Sequence, residues 1–83
     1  MKILFLTGSL EPVKDGVGDY TRVLAGECAR LGHETSSLSL NDQWVVGSQM
    51  KPAELRLGAR MSWPNRVNAA RAFLARRRPE LSV

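Results

Sequence analysis

Two glycines near the N-terminus, Gly16 and Gly18, could let the backbone approach a ligand closely because they carry no Cβ atom. The apolar spacing beyond them predicts a helix from Val17, and backbone N–H groups at a helix start attract phosphates and other anions. Asp19 and Tyr20 follow in the first turn, where Tyr20 is also a candidate for the core. Residues 16–20 therefore outline a site for phosphate or sugar hydroxyl groups. A purely structural role explains the pattern equally well, in which the two glycines only allow the backbone turn at the start of the helix.

Two other phosphate-binding motifs do not fit this segment. A dinucleotide fingerprint needs its first glycine directly after the strand and a third glycine where this chain has Thr21, although Asp42 could supply its later acidic residue. A P-loop needs the run Gly-Lys-Ser/Thr, which does not occur in the chain. The glycine pair alone therefore does not identify a nucleotide site.

The first half of the chain predicts a strand, a loop and a helix. An unbroken apolar run predicts a strand over residues 2–7 that is covered on both faces. Two glycines and a proline predict a loop over residues 8–16. Apolar residues spaced three and four positions apart then predict a helix over residues 17–31, with Asp15 as N-cap and Gly32 at its end. The predicted inner stripe of this helix consists of Val17, Tyr20, Leu24, Cys28 and Leu31.

The second half predicts two further strands, a helix and the start of a fourth strand. Residues 34–40 predict a strand whose hydroxyl-rich start leaves its burial open, and residues 41–52 are irregular. Apolar residues that alternate with arginine and glycine predict a third strand over residues 55–60. Pro64, which follows Trp63, predicts the start of a helix over residues 64–77. A fourth strand begins at Leu81. The predicted inner stripe of the second helix consists of Val67, Ala70, Leu74 and Phe73.

This order, β-loop-α-β-β-α-β, is typical of the opening of an α/β fold with a doubly wound, Rossmann-like parallel sheet. The fold class predicted is thus a partial sheet of this kind, truncated within its fourth strand. The first strand is expected inside the sheet, paired with the second and fourth strands. Ligands of such folds bind outside the carboxyl ends of the strands, which is where the loop over residues 8–16 lies.

Composition narrows the class of protein. The chain has 83 residues, a net charge of +4 and one cysteine, Cys28. One cysteine excludes a disulfide framework and a cysteine-rich zinc site, and it fits a reducing compartment. No apolar run approaches the roughly 20 residues of a membrane span. A cytoplasmic location is expected, with no metal and no cofactor.

Five segments together resemble the N-terminal domain of GT-B fold glycosyltransferases of group 1, the family 4-like retaining enzymes. They are Lys2 to Thr7, Glu11-Pro12, Asp15 to Tyr20, Ala29 to Glu34, and Arg78-Pro79. The resemblance implies that residues 1–83 form an incomplete, acceptor-side domain of a hexosyltransferase that moves a sugar from a nucleotide-sugar to an acceptor. It also implies that Gly16, Val17, Gly18, Asp19 and Tyr20 border the interdomain cleft, as substrate-binding residues.

The same resemblance assigns donor recognition and catalysis mainly to a C-terminal domain that has no counterpart in these residues. No catalytic residue is therefore expected in this chain, which should be inactive and weakly folded by itself. A chain that stops within a strand is expected to self-associate through an exposed sheet edge. Peripheral membrane contact through lipid-linked acceptors is a further expectation from the family.

The alternative from a different class is a small basic binding module for nucleic acid or an anionic membrane surface. The arginines that could form its cationic face are Arg60, Arg66, Arg71, Arg76, Arg77 and Arg78. No aromatic residue is assigned to this cationic face for base stacking, so nucleic acid is the less favoured partner.

Overall fold

The computed structural model describes residues 1–11, 16–51 and 53–83, with only the backbone of Val17. The described residues form five strands and two helices, with helices and strands close to the predicted order. The elements are β1 (Lys2–Thr7), α1 (Gly16–Arg30), β2 (Glu34–Asp42), β3 (Ser48–Lys51), β4 (Glu54–Gly58), α2 (Trp63–Arg77) and β5 (Leu81–Ser82). The predicted N-cap, Asp15, lies outside the described residues.

The strands form one mixed sheet in the order β3-β4-β2-β1-β5. β1 pairs in parallel with β2 and with β5, which confirms the prediction that it is an inner strand with these two neighbours. β2 also pairs in parallel with β4. The prediction of an α/β fold is confirmed, but an entirely parallel sheet is wrong because β3 runs antiparallel to β4.

The antiparallel edge strand β3 lies within residues 41–52, which the sequence predicted to be irregular. All four of its residues are exposed, so it has no alternation of apolar and polar side chains that could have revealed it. Gly47, with a φ of +73°, precedes it. Glycine adopts this backbone conformation without a steric penalty, and the turn here leads the chain into the edge strand.

The central strand β2 extends beyond its predicted end, to Asp42, and its serines are buried. Ser36, Ser37 and Ser39 all lie in the sheet interior, which settles the burial that the polar composition had left open. The Ser39 hydroxyl donates a hydrogen bond to Asp42. The polar end of this strand, at Ser39 and Asp42, thus belongs to a polar network within the fold.

The two helices lie on opposite faces of the sheet. The core cluster on the α2 face consists of Leu4, Leu38, Leu55, Leu57 and Phe73. On the other face, Arg22 of α1 forms an ion pair of 2.8 Å with Glu54 of β4. Successive strand residues point to opposite faces, so Glu54 and Leu55 lie on different sides of the sheet. The helix that contacts Glu54 and the helix that packs on Leu55 therefore lie on opposite faces.

The predicted inner stripe of α1 is wrong at Tyr20 and Leu31, while Leu24 is half-buried and the side chain of Val17 lies outside the described residues. Tyr20 and Leu31 are 69% and 68% exposed, and Cys28 is only half-buried. The helix instead faces the protein with Gly18 and Thr21, both buried. Small residues allow α1 to approach the rest of the fold closely, and the larger apolar residues are left on its outer side.

The C-terminus of α1 follows the prediction closely. Gly32 has a φ of +93°, and the N–H of His33 donates to the carbonyl of Cys28 while the N–H of Gly32 donates to that of Ala29. This pair of hydrogen bonds is the Schellman arrangement that ends helices at glycine.

Helix α2 begins at the N-cap Ser62, whose hydroxyl accepts a hydrogen bond from the N–H of Asn65. Its buried residues are Arg66 and Phe73, which lie seven residues apart and therefore on one side of the helix. The prediction that Val67 belongs to the inner stripe is wrong, because this side chain is 47% exposed. Ala70 and Leu74 are partly buried at the edge of the core.

Candidate functional site

The loops that follow β1, β2 and β4 meet at the carboxyl ends of the parallel strands. From β1 the sheet grows first toward β2 and β4, and the chain then returns to place β5 on the other side of β1. In open α/β sheets, a reversal of this kind leaves a crevice outside the strand ends in which ligands bind. α1 begins beside this reversal, at Gly16.

The predicted site residues occupy different environments at the start of α1. Gly16 is the first helical residue, and Gly18 is buried against the loop that follows β1. A Cβ atom at Gly18 would lie 2.9 Å from the carbonyl carbon of Leu10. Asp19 is half-buried and Tyr20 is exposed, so the candidacy of Tyr20 for the core is wrong. The missing side chain of Gly18 therefore serves the packing of helix against loop.

The carboxylate of Asp42, at the end of β2, accepts five hydrogen bonds at this end of the sheet. Asp42 is fully buried. Its oxygens accept hydrogen bonds from the backbone N–H groups of Leu10 and Trp44, the hydroxyls of Ser9 and Ser39, and Nε of Arg56. The Arg56 contact is the shortest of these, at 2.8 Å. One carboxylate thus joins the loops after β1 and β2 to strand β4.

Arg56, the partner of Asp42, uses all three of its guanidinium nitrogens. Nε donates to Asp42, one terminal nitrogen donates to Gln49 at 3.2 Å, and the other forms an ion pair with Glu11 at 2.6 Å. Arginine suits such a position because its planar fork holds several donors at fixed angles. Glu11 is the more exposed end of this Asp42–Arg56–Glu11 cluster, at 26% for its side chain, against 8% for Arg56.

The surroundings of the pair keep both groups charged. Burial by itself raises the pKa of the Asp42 carboxyl, but the hydrogen bond from Arg56 and the N–H groups of Leu10 and Trp44 outweigh it and lower the pKa to about 2. The hydrogen bond to Asp42 raises the pKa of Arg56 in turn. At neutral pH the pair therefore neither gives nor takes a proton, and its effect is to hold the loops in place.

Gly58, at the end of β4, completes this arrangement. A Cβ atom there would lie 2.5 Å from the carbonyl oxygen of Val45 and 2.6 Å from that of Gly47. The N–H of Gly58 donates to the Gly47 carbonyl at 2.7 Å. The absence of a side chain at Gly58 thus lets the loop over residues 43–47 cross the end of the strand.

Sequence reasoning found Asp42 but did not pair it with Arg56. The sequence offers Asp42 only as the acidic residue of a dinucleotide fingerprint that does not fit. The sequence predicts Arg56 as a polar residue that alternates with the apolar residues of a strand. The available signal was a charged residue between Leu55 and Leu57 in a predicted strand of a doubly wound sheet, whose two faces are both covered by helices.

The cationic face predicted for the second helix is smaller in the structure. Arg66 is buried and donates to the carbonyls of Leu40, Ala59 and Met61 and to Oδ1 of Asn41. Its guanidinium also stacks over the ring of Trp63, 4.1 Å from the ring centre. Arg77 donates to the carbonyl of Thr35. The other four arginines, Arg60, Arg71, Arg76 and Arg78, are exposed.

Within the described parts of the chain, no three side chains among His, Cys, Asp and Glu come together as metal ligands would. Neither helix has the length and apolar character needed to cross a membrane, as judged over the same residues. No family model matches the chain, and no curated protein or solved structure matches it either.

Proposed function

We propose that this chain is the acceptor-side, Rossmann-like N-terminal part of a retaining glycosyltransferase of the GT-B type. The observation that carries the proposal is the start of α1 at the glycine pair, directly beside the point where the strand order reverses at β1. That position combines helix N-terminal N–H groups with the crevice in which α/β folds bind their ligands. The sequence resemblance supplies the reaction class.

In this proposal the N–H groups of Gly16 and Val17 donate hydrogen bonds to donor phosphates or sugar hydroxyls. Asp19 and Tyr20 flank them, and the exposure of Tyr20 is compatible with contact to a substrate. Gly18 acts indirectly, because its contact with Leu10 fixes the loop against the helix. The Asp42–Arg56–Glu11 cluster holds that loop from the other side. Bond breaking in the sugar donor falls to a second domain.

The test is a titration of the isotope-labelled chain with UDP-glucose, GDP-mannose and inorganic phosphate, followed by NMR of the backbone amides. A nucleotide-sugar should shift the amides of residues 8–11 and 16–20 in a saturable manner. Because only half of the cleft is offered, weak affinity is expected, with a Kd of about 1 mM. Shifts with phosphate alone would indicate recognition of phosphate without the sugar.

The matched pair of variants is Gly16→Val and Gly26→Val, both on α1. Nothing lies within 4 Å of a Cβ atom at Gly26, so this variant controls for valine in the helix. Gly16→Val should abolish the shifts and Gly26→Val should keep them. Equal responses of the two variants, or no response to any donor, would contradict the assigned site. Sugar transfer by the 83-residue chain would contradict the need for a second domain.

A further inference from the structure

The outer side of α1 carries an apolar stripe that contacts no sheet. Tyr20, Val23 and Leu31 are each about two-thirds exposed, and Glu27 lies between Val23 and Leu31. Steps of three and four residues place all four on one side of the helix, opposite the buried Gly18 and Thr21. These four residues are called the α1 stripe below. Large apolar side chains that line up in this way are typical of a surface that meets another protein.

On the opposite face of the sheet, α2 borders an apolar groove. The cavity measures about 650 Å³ and is lined by Leu40, Trp63, Arg66, Val67, Ala70, Arg71, Leu74 and Ala75. Trp63, Val67, Ala70 and Leu74 form its long wall at steps of four, three and four residues. This cavity is called the α2 groove below. Its shape and apolar lining suit the apolar side of a helix.

The α1 stripe and the α2 groove have matching lengths. The stripe runs from Tyr20 to Leu31, the residue directly after the end of α1, and the wall of the groove runs from Trp63 to Leu74. Each spans eleven residue steps, or about 16 Å at the rise of a helix. Both follow the three-and-four spacing with which packed helices place side chains between one another. One face of this chain thus carries an apolar helix surface of the kind that the groove on the other face can bind.

Charge favours this pairing over contact between two α2 grooves. Helix α2 contains four arginines and no acidic residue, so two such helices brought together would repel each other. α1 has balanced charges, because Asp19 and Glu27 are matched by Arg22 and Arg30, so it does not repel α2 as a second α2 would. Glu27 lies in the stripe and Arg71 borders the groove, so the pairing brings opposite charges together. The existing pair of Glu27 with Arg30 is exposed and correspondingly weak.

We infer that the α1 stripe of one copy of this chain docks in the α2 groove of a second copy. Because stripe and groove lie on opposite faces of the sheet, the contact joins unlike surfaces and leaves each outer copy with one surface free. Contacts of this type build rings or open chains of molecules. This assembly differs from the pairing of sheet edges expected from the sequence. It does not rest on the proposed function, although docking would cover Tyr20, the side chain that the proposed function places beside the substrate.

The experiment compares three Val→Arg variants by sedimentation velocity over a wide concentration range. Val23→Arg disables the stripe, Val67→Arg disables the groove, and Val46→Arg, at an 86% exposed position, is the control. Wild type and Val46→Arg should grow beyond dimers as concentration rises. Val23→Arg and Val67→Arg should each stay monomeric. In a mixture of these two variants, the intact groove of Val23→Arg can bind the intact stripe of Val67→Arg. Assembly should then stop at a one-to-one dimer.

Each other outcome overturns the inference in a specific way. Assembly of both single variants would indicate pairing through sheet edges. Dimers of Val23→Arg with monomers of Val67→Arg would indicate contact between two grooves. Monomeric wild type at all concentrations would exclude the contact altogether.

A charge exchange covers the case in which a Val→Arg variant does not fold, as judged by NMR dispersion. Glu27→Arg and Arg71→Glu should each weaken assembly. The double variant Glu27→Arg/Arg71→Glu should restore it. Failure of the double variant to assemble more strongly than the single ones would contradict the docking.

Discussion

At the residue scale, the pair Asp42 and Arg56 links five separate segments of the described chain. Their contacts join the loop after β1, the end of β2, the loop at Trp44, strand β3 through Gln49, and strand β4. Replacing one member of a buried ion pair leaves the other charge without its partner and out of water. The pair is therefore more sensitive to substitution than its surface counterparts.

Arg56→Met should lower the free energy of unfolding by about 3–5 kcal/mol, because it leaves the Asp42 carboxylate buried without its cation. Arg60→Met, at an exposed position in the same part of the chain, is the control and should change stability by less than about 0.5 kcal/mol. Urea denaturation followed by circular dichroism measures both. Equal effects would mean that the Asp42–Arg56 pair does not stabilise the fold.

The lowered pKa of Asp42 predicts a loss of stability in acid. The folded pKa of about 2 lies below the value of 3.8 of the free side chain. The ionised carboxylate of Asp42 therefore contributes about 2 kcal/mol to the free energy of unfolding above about pH 4. This contribution disappears as the pH falls through 2. In Asp42→Asn this part of the acid dependence should be missing.

The control for the acid dependence is Glu27→Gln, which removes an exposed carboxyl and should keep the decline between pH 4 and pH 2. Unfolding free energies from urea titrations across this pH range provide the measurement. An unchanged acid profile in Asp42→Asn would show that other carboxyls cause the decline.

At the scale of elements, α1 packs through its small residues. Gly18→Ala should destabilise the fold by about 1–3 kcal/mol, because the added Cβ atom would meet the backbone of Leu10 at 2.9 Å. Gly26→Ala in the same helix meets nothing within 4 Å and should stabilise it by about 0.5–1 kcal/mol. Thermal unfolding of the two variants should shift in opposite directions. Shifts of the same sign would contradict the close approach of helix and loop.

The existence and type of most elements followed from local patterns, whereas their orientation did not. The apolar run predicted β1, and Gly32 predicted the end of α1. Hydrophobic periodicity located an apolar side on α1 but could not tell whether the sheet or the solvent lies against it. Tyr20 was therefore predicted inside and lies outside. The Asp42–Arg56 contact depends on pairing between β2 and β4, which no local pattern encodes.

For the molecule as a whole, the central strands should be the most stable part. The N–H groups of Ser37 and Val83 both donate hydrogen bonds of 2.8 Å, one in the buried centre of the sheet and one at its edge. Because the two hydrogen bonds have the same length, a difference in exchange between them reports the effect of burial on local opening of the sheet. In hydrogen exchange, Ser37 should be protected much more strongly than Val83. Equal protection would mean that the sheet opens as one unit.

The position of β1 between β2 and β5 also sets the order of events in folding. Its partners in β2 lie 32 residues away, as in Lys2 and Glu34, and those in β5 lie 78 residues away, as in Ile3 and Leu81. Contacts between distant residues form only after the entropy of closing a long loop has been overcome. The β1-α1-β2 unit should therefore form before the transition state, and β5 should join afterwards. A substitution such as Leu81→Ala should accelerate unfolding while leaving the refolding rate nearly unchanged.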